Sequence, residues 1–292
     1  MPGTRARVCQ LRFRRLYPRA TVLLATCVLS MSLITVLISL RSGSFESSSI
    51  EARWEEFLPA TASAPDYCTE RDLSSKSWIR EVYGQVFSKM QIACERVIRI
   101  GAQGDGGKLI CMDHVPTESC VIYSLGSDLD FEFEISAMKV LGCEIHTFDC
   151  TVGDVNATVI PVGVTFHAWC IGGAFEKKVI SSNYGHTGET GQYYPMSYIM
   201  KILGHKKVDL LKMDIERHEF SVIESFSVDR IPSQILFETH LHNAYGIWHR
   251  PLNYREWRQF WNKLESFGYR VFSYEPNPFC LCCCEWSIIR VI

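Results

Sequence analysis

From residue 97 onward, short apolar runs alternate with segments of helical periodicity, and this alternation restricts the fold more than any other feature. The apolar runs predict strands at 97–100, 108–111, 120–125, 144–148, 158–164, 208–213, 235–239, 269–273 and 286–292. The periodic segments predict helices at 131–141, 196–203, 217–226 and 254–267, all but the third followed by a glycine at or near the helix end. Strands separated by helices predict an α/β domain with a mostly parallel sheet that is covered on both faces.

The last two predicted strands follow each other without an intervening helix. They are therefore expected to pair as an antiparallel hairpin at one end of the sheet. The seven predicted strands from 120–125 onward occur in an order that is typical of a Rossmann-like doubly wound fold. In such sheets a ligand binds at the carboxyl ends of the strands, where the strand order reverses.

Two polar positions at these strand ends are spaced as a nucleoside site requires. Gly126 follows strand 120–125 directly and lets the backbone approach a ligand, with Ser127 and Asp128 next to it. Asp149 ends strand 144–148 and can accept hydrogen bonds from both ribose hydroxyls. We therefore predict that Gly126, Ser127, Asp128 and Asp149 bind a cofactor, although capping of the next helix explains Ser127 and Asp128 as well.

A second group of polar residues follows the fourth and fifth strands of this sheet. Asp214 lies at the end of an apolar strand, where a carboxylate needs a specific partner. Glu238, His240 and His242 alternate, so in an extended chain their side chains share one side. We predict cofactor contact and catalysis for Asp214 and a general base role for His240. A divalent metal on this group, or an ordered hydrogen-bonded loop, is the alternative, and we expect no metal.

The amino-terminal region predicts a membrane anchor. Residues 21–40 are twenty residues without a charge, enough to span the bilayer as a helix. Six arginines precede this segment and glutamates follow it, so the positive-inside rule predicts a type II protein. We divide the chain into a cytosolic tail (1–20), an anchor (21–40), a stem (41–66) and a lumenal domain (67–292). A cleaved signal peptide is the alternative, and the Golgi or endoplasmic reticulum is expected by analogy.

Eleven of the thirteen cysteines follow the anchor, and in an oxidising lumen some of them are expected to form disulfides. The cluster Cys280–Cys284 lacks the paired spacing of zinc sites, and we expect it to pair with Cys68, Cys94, Cys111 or Cys120. Asn156 begins a glycosylation sequon. The net charge of -2, without a basic run in the domain, predicts no nucleic-acid partner.

Two further segments have simpler interpretations. Ser77–Ala93 has apolar residues at helical spacing and predicts a helix that leads into the domain. Residues 101–109 (GAQGDGGKL) superficially match a phosphate-binding loop. No Ser or Thr follows the lysine and a strand rather than a helix comes next, so this segment is predicted to be a turn.

Several motifs together resemble a known family. The segment VDLLKMDIERHEF (208–220) resembles the signature of FkbM-type methyltransferases. GDGGKLICMD (104–113), CVIYSLGSDLDFEFE (120–134), CEIHTFDC (143–150) and ILFETHLH (235–242) are similar to the animal methyltransferase-like proteins. The resemblance covers residues 68–292 and implies the seven-stranded methyltransferase sheet. It also implies S-adenosylmethionine binding at Gly126 and Asp149, with Asp214 near the transferred methyl group.

The chain departs from this family at two positions. The first loop keeps one glycine where many methyltransferases have more, and Arg217 stands where the family usually has glycine. These departures keep open a binding module that retains the fold without activity. Asp128 and Asp130 also form a D-x-D pair, which is typical of metal-dependent glycosyltransferases. The expected function is methyl transfer to an unidentified lumenal acceptor, either a glycan or a secreted protein.

Overall fold

The structure, a computed structural model, describes residues 91–153, 155–182, 185–240, 254–277 and 283–291. The predicted tail, anchor and stem and most of the predicted helix 77–93 lie outside these ranges, as do His242 and three residues of the Cys280–Cys284 cluster, Cys280 to Cys282. No helix within the described ranges has the length and hydropathy that a membrane crossing requires.

The described residues form twelve strands and four α-helices. The strands are β1 (Val97–Ile100), β2 (Lys108–Cys111), β3 (Val121–Leu125), β4 (Glu144–Phe148), β5 (Val164–His167), β6 (Cys170–Gly172), β7 (Glu176–Ser182), β8 (Gly185–Pro195), β9 (Leu210–Met213), β10 (Gln234–His240), β11 (Tyr269–Pro276) and β12 (Cys283–Arg290). The helices are α1 (Glu132–Leu141), α2 (Met196–Leu203), α3 (His218–Glu224) and α4 (Tyr254–Ser266).

Seven of the strands form the central sheet in the order β11-β12-β10-β9-β3-β4-β5. The strands β10, β9, β3, β4 and β5 pair in parallel, whereas β12 is antiparallel to both β10 and β11. The predicted Rossmann-like sheet with a terminal antiparallel hairpin is therefore confirmed. Strand order reverses beside β3, so the carboxyl ends of β3, β4, β9 and β10 define one edge where a ligand can bind.

Apolar packing fixes the helices on this sheet. Phe133 and Ala137 of α1 pack with Ile122, Ile145 and Leu210 of the sheet in one buried cluster. On α4, the apolar face predicted from the sequence buries Trp257, Phe260, Trp261 and Leu264. Full burial of such side chains contributes roughly 1.5–3 kcal/mol each, which makes this packing a principal source of stability.

The turn between β1 and β2 requires glycine because two segments of its backbone approach each other closely. The two strands pair as a separate antiparallel hairpin, and no helix follows the glycines. At Gly107 a Cβ atom would collide with the backbone oxygen of Ala102. The glycine-rich segment is therefore a structural turn, as predicted, and the phosphate-loop alternative is excluded.

Two parts of the secondary structure differ from the sequence prediction. The strand predicted at 158–164 is wrong: residues 157–159 form a turn, and β5 begins at Val164. Pro161 and Gly163, the latter at φ +94°, interrupt the extended run that the apolar residues suggested. The prediction also missed β6, β7 and β8, which form a three-stranded sheet between β5 and α2. Their charged and glycine-rich residues lack the apolar alternation used to assign strands.

Three disulfides join neighbouring segments of the described chain. Cys94 pairs with Cys111, Cys120 with Cys143, and Cys150 with Cys170. Cys283 is also in a disulfide, and the thiol of Cys284 is free and buried. The predicted pairing of the Cys280–Cys284 cluster with Cys94, Cys111 or Cys120 is therefore wrong, because each of these three has another partner. The fourth expected partner, Cys68, lies outside the described residues.

Candidate functional site

A cleft of about 550 Å³ lies at the carboxyl ends of β3, β4, β9 and β10. This volume is within the range of sites for small molecules and cofactors. All of the residues proposed from the sequence as binding or catalytic groups line it: Gly126, Ser127, Asp128, Asp149, Asp214 and His240. The structure therefore brings the two predicted groups of polar residues together.

Gly126 is required by the geometry of its turn. Its φ of +79° is left-handed, and a Cβ atom would collide with the backbone oxygen of Asp214. Its backbone N donates to the oxygen of Phe148 at 2.9 Å, and its own oxygen accepts a bond from the buried Lys212 ammonium. One glycine therefore links the ends of β3, β4 and β9.

Asp149 orders the loop that follows Gly126. Its Oδ2 accepts bonds from the backbone N atoms of Ser127 and Asp128 at 2.9 and 2.8 Å. Its Oδ1 accepts bonds from the backbone N and the Oγ1 of Thr151 at 2.9 and 2.6 Å. A carboxylate has about four acceptor positions. The hydrogen bonds from Ser127, Asp128 and Thr151 therefore occupy the acceptor positions of Asp149. Asp149 is buried and holds the floor of the cleft in one conformation.

The two aspartates of the D-x-D pair, Asp128 and Asp130, make different contacts. The backbone N of Asp128 bonds to Asp149, whereas Asp130 Oδ1 accepts the backbone N of Glu132 at 2.9 Å and caps α1. Neither aspartate belongs to a group of three or more metal-ligating side chains in the described chain. This geometry gives no support to a metal-dependent sugar-nucleotide site.

A buried lysine stands among the carboxylates of the opposite wall. Lys108 is only 2% exposed; its Nζ contacts Glu285 Oε1 and lies 3.4 Å from Asp214 Oδ2. Asp105, Asp214, Glu238 and Glu285 are close enough to surround a cation. Because the ammonium of Lys108 already pairs with two of them, it supplies the positive charge that a metal would otherwise provide.

His240 is surrounded by acidic side chains. Its ring nitrogens lie 3.3 Å from Glu219, 3.4 Å from Glu238, 3.6 Å from Glu216 and 3.8 Å from Asp214. Burial alone lowers the pKa of His240, but the carboxylates of Glu219, Glu238 and Glu216 outweigh it and raise this pKa well above its ordinary value. These carboxylates therefore favour the protonated form of the imidazole.

The neighbouring carboxyl groups respond to the same charges in opposite directions. Burial raises the pKa of Asp214, but Lys108, Lys212 and His240 outweigh it and lower this pKa to about 2. For Glu285, burial together with the charges of Glu238 and Asp214 outweighs Lys108 and raises the pKa to about 8. Asp214 is thus an anion at neutral pH, and Glu285 holds a proton over much of the physiological range.

Arg217 adopts a backbone conformation that favours glycine. Its φ is +78°, directly before α3, and Glu216 before it has φ +52°. This conformation explains why the related family usually has glycine at the position. Glu216 and His218 line the cleft, whereas Arg217 is not among the lining residues.

Sequence analysis missed Lys108, Lys212 and Glu285 as parts of this site. Each is a charged residue within an otherwise apolar strand, and a charge buried in this way needs a partner. That signal was present in the sequence, but the partners come from distant strands. Only the packing of the separate β1-β2 hairpin against the central sheet brings Lys108 to Asp214 and Glu285.

Comparison with known proteins gives matches in both sequence and structure. A family model described as "Methyltransferase domain" matches residues 42–290. A "Probable methyltransferase-like protein 24" from Rattus norvegicus is 32% identical over 171 residues, which are 52% of this chain and 45% of that protein. The protein of the same description from Homo sapiens is 28% identical over 172 residues, which are 53% and 45% of the two chains.

Solved structures resemble the chain more distantly. A fibrillarin pre-rRNA processing protein from Methanococcus jannaschii has a TM-score of 0.36 at 10% identity and covers 61% of this chain and 68% of its own. A SAM-dependent methyltransferase from Aquifex aeolicus has a TM-score of 0.30 at 12% identity, with coverages of 62% and 87%.

The aligned region spans about half the length of the curated relatives. The family model, in contrast, extends over most of the chain and includes every residue of the cleft described above. The resemblance inferred from the sequence motifs is thereby confirmed, and the chain belongs to the family defined by this methyltransferase domain.

Proposed function

We propose that this protein transfers a methyl group from S-adenosylmethionine to an oxygen or nitrogen atom of an acceptor. The main supporting observation is the composition of the cleft. The Gly126 turn and the buried Asp149, which follow adjacent parallel strands, line it together with the anionic Asp214. When bound, S-adenosylmethionine supplies a methyl group on a positively charged sulfonium. The protein's main contribution is to hold the two reactants in line, which can lower the barrier by several kcal/mol.

Asp149 is proposed to bind the ribose. Because its four acceptor positions are filled by the protein, a ribose hydroxyl must replace one internal donor. The replaceable donors are the hydroxyls of Thr151 and, more distant at 3.4 Å, of Ser127, since a hydroxyl can rotate away whereas the three backbone N atoms are fixed. The Oγ1 of Thr151, on Oδ1, is the one that we assign to the exchange. The proposal therefore assigns Asp149 two tasks, to order the loop and to exchange one hydrogen bond on binding.

Asp214 is proposed to act through its charge. With a pKa of about 2 it is a poor proton acceptor at neutral pH, but it is a suitable anion for a sulfonium. The carboxylates around His240 favour its protonated form, so the imidazole must lose a proton before it can act as the general base expected from the sequence. These pKa directions favour electrostatic and positioning roles for both residues.

A lumenal location is proposed for the domain, with residues 21–40 as the anchor. Support comes from the uncharged segment with arginines before it and from the disulfides of the described domain. Asn156, which begins the sequon, is exposed. A lumenal acceptor such as a glycan or a secreted protein is consistent with this proposal.

The test is calorimetric titration of the full-length chain with S-adenosylmethionine and S-adenosylhomocysteine. Hydrogen bonds to charged groups contribute about 1.5–3 kcal/mol each, so Asp149→Ala is expected to weaken binding by roughly 100-fold or more. Thr151→Ala is expected to retain binding, because the ribose replaces that hydroxyl. Asp113→Ala is the matched control, since Asp113 also accepts two backbone N–H bonds, from Glu95 and Arg96, but lies outside the cleft.

Absence of binding by a folded wild-type chain would reject the proposal. The binding-module alternative would then remain, and titration with Mn²⁺ and sugar nucleotides would test the glycosyltransferase alternative. Equal losses for Asp149→Ala and Asp113→Ala would show that loop order in general, not the ribose contact, controls affinity.

A further inference from the structure

A second cluster of potential ligands lies between β3, β4 and the segment after α2. Glu144 Oε1 lies 2.9 Å from His146 Nε2 and 3.5 Å from His205 Nε2. The three atoms all lie within 4.8 Å of one another. None of the three residues lines the cofactor cleft, so the cluster is separate from the site described above.

These distances fit the coordination shell of zinc. Zinc binds His nitrogen and carboxylate oxygen at about 2.0–2.2 Å, so ligand atoms in a tetrahedral site are roughly 3.3 Å apart. His146 and His205 are largely buried, whereas the Glu144 side chain is 57% exposed. Two buried imidazoles and one carboxylate at the surface leave the fourth position for water.

The outer nitrogens of both imidazoles have partners of the kind found around bound metals. His146 Nδ1 lies 2.9 Å from His167 Nε2, and His205 Nδ1 lies 2.7 Å from the Tyr123 hydroxyl. Metal-binding histidines nearly always use the second ring nitrogen in a hydrogen bond, which fixes the ring and its tautomer. Both rings are thus oriented with Nε2 towards Glu144.

We propose that Glu144, His146 and His205 form a binding site for a divalent transition metal, with zinc as the best match to this ligand set. Neutral imidazoles with their proton on Nδ1 offer the Nε2 lone pair to the metal, and ionised Glu144 supplies one negative charge. The metal joins β4 to the segment that follows α2.

The site also adjoins one wall of the cleft. His167 stacks against Phe148 and Trp169 at centroid distances of 4.7 and 4.6 Å, and both aromatic residues line the cleft. Through His167, which contacts His146, the bound metal supports the aromatic wall beside Asp149. Its role is structural, and the inference does not depend on the proposed methyl transfer.

The competing explanation is a metal-free hydrogen-bond chain. Tyr123 would donate to His205, both His205 and His146 would donate to Glu144, and His167 would donate to His146. This arrangement satisfies the same atoms without a cation, so only metal binding distinguishes the two.

The experiment uses the full-length chain after dialysis against a chelator. Zn²⁺ is added in a calorimetric titration, and Co²⁺ in a parallel titration followed by visible absorption, which reports a site of low coordination number. One tight Zn²⁺ site and a visible Co²⁺ spectrum are expected. Lack of binding by the folded chain would overturn the proposal in favour of the hydrogen-bond chain.

Two variants locate the site. Glu144→Gln removes a ligand from an exposed position and is expected to weaken Zn²⁺ binding more than 100-fold. Tyr123→Phe removes an outer partner and is expected to weaken it by roughly 10–100-fold. Glu224→Gln, at an exposed position of α3, is the matched control and should bind as the wild type does. Unchanged binding by Glu144→Gln would place the metal elsewhere and overturn the proposal.

Discussion

The polar groups on the two sides of the cleft differ in how completely the protein hydrogen-bonds them. On one side, which we call the loop side (Gly126–Asp128 and Asp149–Thr151), both carboxylate oxygens of Asp149 are fully hydrogen-bonded by the protein. The other, which we call the charged side, consists of Asp214, Glu238 and His240, which line the cleft, and of Lys108 and Glu285 behind them; its three carboxylates share few donors. Within the described residues, Glu285 Oε2 and His240 Nδ1 make no hydrogen bond.

This difference indicates two different responses to a ligand. The loop side is already in one conformation, so binding there costs little reorganisation. The charged side holds buried groups of opposite charge, and the pKa of each group depends on the charges of its neighbours. A charged ligand can therefore change the protonation of several groups at once. The loop side is therefore suited to a constant cofactor, and the charged side to the group that changes during a reaction.

The largest expected effect comes from removal of the central cation of the charged side. Lys108→Met leaves Asp214, Glu238 and Glu285 without their shared partner, and loss of one member of a buried ion pair costs about 3–5 kcal/mol. Thermal and urea unfolding at pH 7 measure this loss. Lys139→Met, at an exposed position of α1, is the control and should change stability by less than about 0.5 kcal/mol.

A double variant makes the same prediction sharper. Lys108→Met combined with Asp214→Asn removes a charge of each sign at pH 7 and is expected to recover part of the lost stability. If the double variant were as unstable as the sum of the single changes, the two residues would not be coupled, and the description of the charged side would be wrong.

A smaller effect is expected where the two sides meet. Gly126→Ala introduces both an unfavourable left-handed φ and a collision with the Asp214 oxygen, for a cost of about 2–4 kcal/mol and a loss of cofactor binding. Gly142→Ala is the matched control, because Gly142 has a φ of +66° but no atom near the added Cβ. It should cost only about 1 kcal/mol. Equal costs would mean that the contact between the two sides is unimportant.

The smallest effect concerns pH. Since Glu285 has a pKa of about 8 in the folded protein and an ordinary one when unfolded, its protonated form stabilises the fold at pH 4.5 and this contribution is lost as the pH rises to 8. Glu285→Gln mimics the protonated form. We expect it to match the wild type near pH 5 and to exceed it by about 1 kcal/mol, or roughly 2–4 °C in Tm, at pH 8. A difference that is constant with pH would contradict the raised pKa.

The loop side was easier to predict from the sequence than the charged side. Gly126 and Asp149 follow consecutive parallel strands, so the local pattern alone places them at one edge of the sheet. Lys108 and Glu285 are 177 residues apart, and their contact depends on how β2 and β12 pack across the sheet. Local periodicity carries no such information. The same limit explains β6–β8, where pairing between strands rather than apolar alternation decides the structure.

The Cys150–Cys170 disulfide has a consequence for the stability of the cleft. It fastens the residue directly after Asp149 to β6, beside the aromatic wall of the cleft. Closing a loop of this length stabilises a fold by about 3 kcal/mol in chain-entropy terms. A chain held under reducing conditions lacks this covalent link, so we expect its cleft to be less stable than that of the oxidised chain. If the cleft binds the proposed cofactor, we expect the oxidised chain to bind it more tightly than the reduced chain.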